Sequence, residues 1–439
     1  MKAAGIRDAH VDYVGDVAYP EHFQRELMPG WMRSTVLALG HAPPDLDRPY
    51  RWCELGCGGG LSARVAAACN PRGHFTAVDI DPAQIAHARA AAASAGLRNI
   101  EFVAADLRDW AQACDDGAPF DFIVLHGLWS WVGEDVREAI LAFVRRRLAV
   151  GGVLQIGYMS HPGASPLQAA HKLMREAAQY AEGDSGQRAS AALGLLRELA
   201  DGGAGYFAEH AGARTQLAAM QRETPAYLAH EFLGAAWEPQ HSADLLRRLA
   251  AAGCDHLGSA TPLENIDTLS VPAALQPLLR AMPRGPLAET VRDLARNQSQ
   301  RRDLFQRGAR ALDASAHLAA LDALVFAALP GAPAAAEGDL RFQTRIGPVD
   351  GPRAWFDPVL RALAAGPQSF AALRALAPFA DAPGLLNQVL QALQWAGFVH
   401  PLRSDGIAVN APPAGALTSA MPLRLVPEAG TAVIAPERT

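Results

Sequence analysis

Lysine is almost missing from this 439-residue chain. It stands only at Lys2 and Lys172, so arginine carries nearly all of the positive charge. With 39 basic against 45 acidic residues the formal net charge is −6, which excludes a strongly basic nucleic-acid binder at the level of the whole chain. Charged residues are also scarce, at 19%, while half the residues are apolar; that is enough for a large core and excludes wholesale disorder. Cysteine occurs five times, at Cys53, Cys57, Cys69, Cys114 and Cys254, never as CxxC. The usual spacing of a zinc site is therefore missing, and reduced structural thiols are expected. No run reaches the roughly 18 uninterrupted apolar residues of a membrane span. The nearest, 318–336, is broken by Asp322, Pro330 and Pro333. The opening MKAAGIRDAHVDYV has charges where a secretory signal has an apolar centre. A soluble cytoplasmic protein with two or three domains is the expectation, at about 150 residues per domain.

What is present is strand–helix alternation. Strands are expected at 51–55, 74–78, 100–104, 120–125 and 152–158, with helices at 61–69, 82–95, 107–113 and 134–148. This pattern predicts an α/β core built on a parallel sheet covered on both faces. Residues 166–248 read as almost wholly helical. Strands at 254–259 and 303–307 would complete the sheet as an antiparallel edge, and helix returns at 310–329. The leader, 1–50, holds Tyr13, Tyr19, Pro20, Phe23, Pro29 and Trp31; it has a helix at 31–39 and is expected to act as a lid. LPGAPAAAEGD at 329–339 reads as a linker. Beyond it, three short helices and a strand at 356–402 resemble a winged helix. Its third helix, 385–396, carries Asn387, Gln388, Gln391 and Gln394 but no lysine or arginine. It lacks the charge that phosphate binding needs, so partner or substrate presentation is expected instead. The expected division is a leader at 1–50, a core at 51–165, a helical insert at 166–315, a winged-helix-like unit at 316–412 and a flexible tail at 413–439.

The central motif is Glu54-Leu55-Gly56-Cys57-Gly58-Gly59-Gly60, leaving a strand and entering a helix. Glycines let the backbone turn tightly and approach a ligand. A lone glycine loop is a weak signal, but here three acidic residues surround it. Glu54 precedes the first glycine, Asp79 ends the next strand where it can accept ribose hydroxyls, and Asp106 follows the third strand, where it can meet an adenine amino group. The last small residue of a dinucleotide GxGxxG is replaced by Leu61. The set resembles class I S-adenosylmethionine (SAM) methyltransferases. It implies SAM, giving S-adenosylhomocysteine (SAH), held by Glu54, Gly56, Cys57, Gly58, Asp79, Ile80, Asp106, Leu107 and His126.

FDFIVLHGLWSWV at 120–132 puts His126, Trp129 and Trp131 at the carboxyl edge of the fourth strand, where ligands of this fold sit. Aromatic faces attract sulfonium and methylated ammonium groups. HGLWSWV, the strand ending Gly157-Tyr158 and the stretch TPAYLAHEFLGAAWEPQHSADLLRRLAAAGCDHLGSATPLEN at 224–265 are similar to methyltransferases with a methyltransferase regulatory domain, as is NQSQRRDLFQRG at 297–308. Their best known relatives are rickettsial protein-lysine methyltransferases. The resemblance spans roughly 12–400 and implies a protein substrate and a homodimer. The segment Tyr158 to Ala164 departs from the family, lacking its asparagine and tryptophan.

Methyl transfer needs a neutral nucleophile held in line with the methyl group. A lysine must first lose a proton from a pKa of about 10.4, and an aromatic channel disfavours the ammonium form. Tyr19, Trp129, Trp131 and Tyr158 are expected to line that channel, with His126 as a proton acceptor or cofactor contact. His230-Glu231 stands in a helix opened by Thr224-Pro225; Glu231 is expected to pair with an arginine or to reach the site. Two alternatives stay open: methylation of a small metabolite, and a SAM-binding regulator that transfers nothing. Nucleic-acid methylation is disfavoured because no Asn/Asp-Pro-Pro-aromatic motif follows the fourth strand.

Overall fold

Apolar runs too short for helices set the sheet. In the computed structural model, which describes residues 14–113, 117–210 and 212–435, they form β1 (Tyr50–Leu55), β2 (Gly73–Asp79), β3 (Ile100–Ala104), β4 (Phe120–Leu125) and β5 (Leu148–Met159). With β6 (Cys254–Ser259) and β7 (Gln300–Arg307) they make one seven-stranded sheet of order β3-β2-β1-β4-β5-β7-β6. The first five strands are parallel, and β7 runs against both β5 and β6. Of the two late strands only β7 is therefore antiparallel to the core, and it lies inside the sheet, not at its edge.

Alternation along each strand divides two apolar layers. Trp52, Phe75, Phe122, Val153 and Leu304 face α1 (Pro29–Ala38), α2 (Leu61–Cys69) and α3 (Pro82–Ser94). Cys53, Ile123, Leu125, Ile156 and Phe305 face α4 (Leu107–Ala113) and α5 (Glu134–Arg147).

Five helices follow β5: α6 (Leu167–Ala178), α7 (Ser185–Asp201), α8 (Gly205–Glu209), α9 (Ala213–Met220) and α10 (Pro225–Phe232). They bury their own cluster of Met174, Ala189, Leu196, Leu217 and Leu228. A capping box of Asp184 and Gln187 starts α7, and the Thr224 side chain caps α10. Next, α11 (Ser242–Ala251) joins the layer of α4 and α5, and α12 (Asp267–Ser270), α13 (Gln276–Arg280) and α14 (Pro286–Arg296) lead into β7. Arg301 on β7 is buried, and its guanidinium donates to Asp303 (2.9 Å), Asp293 (2.5 Å) and Glu289 (2.8 Å).

The expected helix at 310–329 is split. α15 (Ala314–Asp322) ends, and the aromatic and β-branched pair Val325-Phe326 starts β8 (Val325–Ala328). A hairpin of β9 (Leu340–Thr344) and β10 (Gly347–Gly351) precedes α16 (Arg353–Ala364), β11 (Gln368–Ser369), α17 (Phe370–Arg374), α18 (Pro383–Trp395) and β12 (Val399–Pro401). β8 pairs with both β11 and β12, antiparallel, so 329–339 is a loop within one unit. The linker reading is thereby corrected.

The flexible tail is corrected too. α19 (Ala414–Leu417), β13 (Leu423–Val426) and β14 (Thr431–Ile434) lie over α2, and Leu417, Leu423 and Ala432 join the same apolar cluster as Trp31 and Val65. Asn70, just after α2, donates to the Gly430 carbonyl at 3.0 Å. Among the described residues no helix is long and apolar enough to cross a membrane. Cys114 and residues 436–439 lie outside the described residues.

Candidate active site

The glycine loop joins β1 to α2 at the carboxyl edge of the sheet. Gly56 and Cys57 donate their N–H groups to the Val78 carbonyl, at 2.8 and 3.0 Å, which closes the turn against β2. Gly60 has φ +71°, and a Cβ there would lie 2.4 Å from the Phe102 ring, so only glycine lets α2 start this close to β3. Asp79 is buried and accepts from the Gly58 N–H at 2.7 Å and the Asp81 N–H at 3.0 Å. Burial raises its pKa. Glu54 is buried under the loop with Oε2 lacking a hydrogen-bond partner among the described residues, and burial, then Asp79, pushes it up to about 8. Asp106 accepts the Arg108 guanidinium at 2.5 Å, and Arg108 reaches on to Asp135 at 2.7 Å.

Sheet register carries this edge toward β7. Glu54 pairs with Val124, Val124 with Gln155, and one step further Gly157 pairs with Arg302. These positions share a face. His126 lies over Gly157, where a Cβ would sit 2.4 Å from its Nδ1. His126 Nδ1, both amide atoms of Gln155 and Arg302 Nε are buried with no hydrogen-bond partner among the described residues. Burial, then Arg302 and His22, pushes His126 down to about 3, so its ring is neutral at physiological pH.

The leader covers the loop. Glu21 pairs with Arg64 of α2, meets His87 of α3 at 3.3 Å and accepts from Thr418 of the tail at 2.5 Å. The Gln24 N–H donates to Ser62 at 3.0 Å. On the other side, His230 meets the Val17 carbonyl at 2.8 Å and Asp16 accepts the Ser185 N–H at 2.8 Å. Between these anchors the rings of Tyr19, His22 and Tyr227 gather, with centroids 5.7 to 6.2 Å apart, and the Tyr19 hydroxyl donates to Glu231 at 3.4 Å.

Residues 53–152 match a family described as a methyltransferase domain, and residues 224–307 match a predicted methyltransferase regulatory domain. An uncharacterized protein of Synechocystis is 30% identical over 402 residues, covering 90% of this chain and 77% of its own. The chain belongs to the class I SAM-dependent methyltransferases that carry a methyltransferase regulatory domain. The structure of PKMT2 from Rickettsia typhi shares the fold, with a TM-score of 0.67, or 0.68 for its complex with AdoHcy, at 19% identity over 88% of this chain and 77% of that one. A trans-aconitate 2-methyltransferase of Streptomyces avermitilis is 37% identical over 143 residues, 31% of this chain and 48% of its own.

The cofactor of this methyltransferase is SAM, and the donor set suits it. SAM brings a methyl group on a positively charged sulfur. Glu54 Oε2, without a partner among the described residues, suits an α-ammonium group, the Gly56–Gly58 backbone leaves room for close approach, and Asp79 retains acceptor capacity beyond its two backbone bonds. Cys57 and Ile80 flank these positions and are partly buried, whereas Leu107 belongs to the apolar layer under α4. Asp106 would have to share its carboxylate with Arg108.

The aromatic channel is built differently from the expectation. Trp129 is fully buried in the layer of α4 and α5, with the Arg248 guanidinium 5.2 Å from its ring. Tyr158 is fully buried on the opposite face from His126 and donates to Asp303 at 2.6 Å. Both pack within the protein, and their channel-lining role is corrected: Ile156 and Tyr158 point one way from β5, Gln155 and Gly157 the other. Trp131 is partly buried, with Nε1 lacking a partner among the described residues. Tyr19 stands against α10, with its ring 6.2 Å from that of Tyr227. The residues missed were His22, Tyr227, Gln155 and Arg302. Tyr227 and Glu231 were detectable as an i,i+4 pair on a capped helix; Gln155 and Arg302 depend on the β5–β7 register, for which the sequence holds no local signal.

Proposed function

We propose that this methyltransferase transfers methyl groups from SAM to lysine side chains of a protein. The observation that carries this reading is the cluster of Tyr19, His22 and Tyr227 rings between the leader and α10, with the Tyr19 hydroxyl on Glu231. Aromatic faces and a carboxyl suit an alkylammonium group. Likeness of fold to rickettsial PKMT2 supports it. In this reading Glu54, Gly56, Cys57, Gly58, Asp79, Ile80 and Asp106 hold the cofactor, the leader is the lid, and His126 positions without titrating. The winged-helix-like unit presents the protein substrate, and the enzyme works in the cytoplasm.

A second reading, a small acid as acceptor, is favoured by Arg302, which has no ion pair among the described residues and lies on the face of His126. The two separate in one experiment. Host-cell lysate is incubated with the enzyme and labelled SAM, then divided into protein and small-molecule fractions. New methyl-lysine peptides support the first reading. Label confined to small molecules overturns it.

A further inference from the structure

We propose that Glu231 is the group that receives the acceptor ammonium and removes its proton before methyl transfer. The assignment rests on the lysine reading above. Glu231 and Tyr227 lie four residues apart on α10, so they share one face of that helix. Thr224 fixes its first turn by accepting the Tyr227 N–H at 3.2 Å. Tyr19 and His22 of the leader stand against this face, and Tyr19 donates its hydroxyl to Oε1. Among the described residues no arginine, lysine or histidine pairs with the carboxyl. The titratable groups around it are Tyr19, His22, Tyr227, His230 and Glu223.

The site needs a base, and His126 is a poor one, since its ring is held neutral to about pH 3. Glu231 is suited. Burial, then the charge of Glu223, pushes it up to about 8, with the Tyr19 bond acting the other way. A carboxyl in that range gives its own proton to water as the cation arrives and, once ionised, can take one from the ammonium. The step balances: an N–H bond of the ammonium breaks, an O–H bond forms on Glu231, and nitrogen keeps the electron pair. That pair makes the new bond to the methyl carbon, and the proton on Glu231 passes to water after product leaves. The rings of Tyr19, His22 and Tyr227 hold the ammonium while it is charged and keep water from the amine once the proton has gone.

The test uses the full chain and the variants Glu231→Gln and Glu231→Asp. Calorimetry measures SAH affinity, then n-butylammonium affinity in the presence of SAH. Peptide mass spectrometry measures methyl-lysine formed in lysate at pH 7 and pH 9.5. In Glu231→Gln, SAH affinity should stay within about twofold, and n-butylammonium affinity should fall at least about tenfold. Methyl-lysine formation should fall about 100-fold at pH 7 and recover at least tenfold at pH 9.5, where free lysine sheds its own proton. Glu231→Asp should retain part of both. Unchanged n-butylammonium binding or an unchanged methyl-lysine rate in Glu231→Gln overturns the assignment alone. Loss of SAH binding in both variants also overturns it, because the carboxyl would then serve the cofactor or the fold. Wild-type enzyme that forms no methyl-lysine but labels small molecules overturns the lysine reading itself.

Discussion

Replacing Asp79 tests the cofactor side most directly, because one carboxylate does two separable things there. It accepts the Gly58 N–H at 2.7 Å, which holds the glycine loop against β2, and the Asp81 N–H at 3.0 Å, which sets the entry to α3. It also keeps acceptor capacity for ribose hydroxyls. Asp79→Ala removes all of this. Two part-buried N–H groups lose their partner, at a cost of at most about 1–3 kcal/mol each, less where water enters. A ligand hydroxyl left unpaired costs a similar amount, which corresponds to a loss in SAH affinity of about 5- to 150-fold. Asp79→Asn should keep one backbone bond through its carbonyl oxygen but give up the charge. It should therefore recover most of the stability and little of the affinity. Urea denaturation reports the first quantity and SAH calorimetry the second. SAH affinity unchanged in Asp79→Ala would refute the ribose role. Affinity and stability restored together in Asp79→Asn would mean that the carboxylate acts only through the loop.

Other perturbations reach the rest of the argument. Arg301→Met should destabilise the protein by about 3–5 kcal/mol in urea, because Asp293, Asp303 and Glu289 would lose a shared cation in the core. A chain ending at residue 412 should melt well below the full chain and bind SAH more weakly, since it loses Leu417, Leu423 and Ala432 from the core and the Thr418 contact to Glu21; equal melting temperatures would show the tail is dispensable. Glu54 gives a pH prediction. Its folded value of about 8 lies above the unfolded value of 4.5, so the folded state holds a proton that the unfolded state loses. Stability should fall as pH rises from 4.5 to 8, by roughly 3–5 kcal/mol at most, and Glu54→Gln should flatten part of that slope; a slope left intact would place the titration elsewhere.

The parallel core was legible because its signals are local. Runs such as FDFIVL and HFTAVD are too short and too apolar for amphipathic helices, and GCGGGL can only be a turn. Three features were not. Val325-Phe326 sits in an alanine-rich stretch that favours helix, and only pairing with β11 and β12 makes it a strand. The tail has no periodicity, yet Leu417, Leu423 and Ala432 find the outer side of α2, a tertiary choice that propensity does not encode. Trp129 and Tyr158 stand in a motif at the active edge, so their chemistry argued for the site, while the parity of the strand and the turn after β4 turned both into the core. A one-residue change of parity decides which face a side chain serves.

That parity also explains why the leader matters. The face at the carboxyl edge that bears Glu54, His126, Gln155 and Arg302 is polar, and several of its buried atoms have no hydrogen-bond partner among the described residues. Groups of this kind are costly to bury unless something meets them. The leader passes beside this region, with Glu21 against Gly59 and His22 near His126, and it is tied down from both sides. Glu21 links it to Arg64, His87 and Thr418; Asp16, Val17 and Tyr19 link it to Ser185, His230 and Glu231. The glycine loop and helix α10 of the regulatory domain therefore share one strap. Loosening either end should disturb the other. Glu21→Ala would release the strap from the glycine loop, and it should weaken SAH binding while also speeding amide hydrogen exchange in α10, over residues 225–232. Exchange confined to the leader, with α10 unchanged, would show that the two ends are independent and that the strap transmits nothing between them.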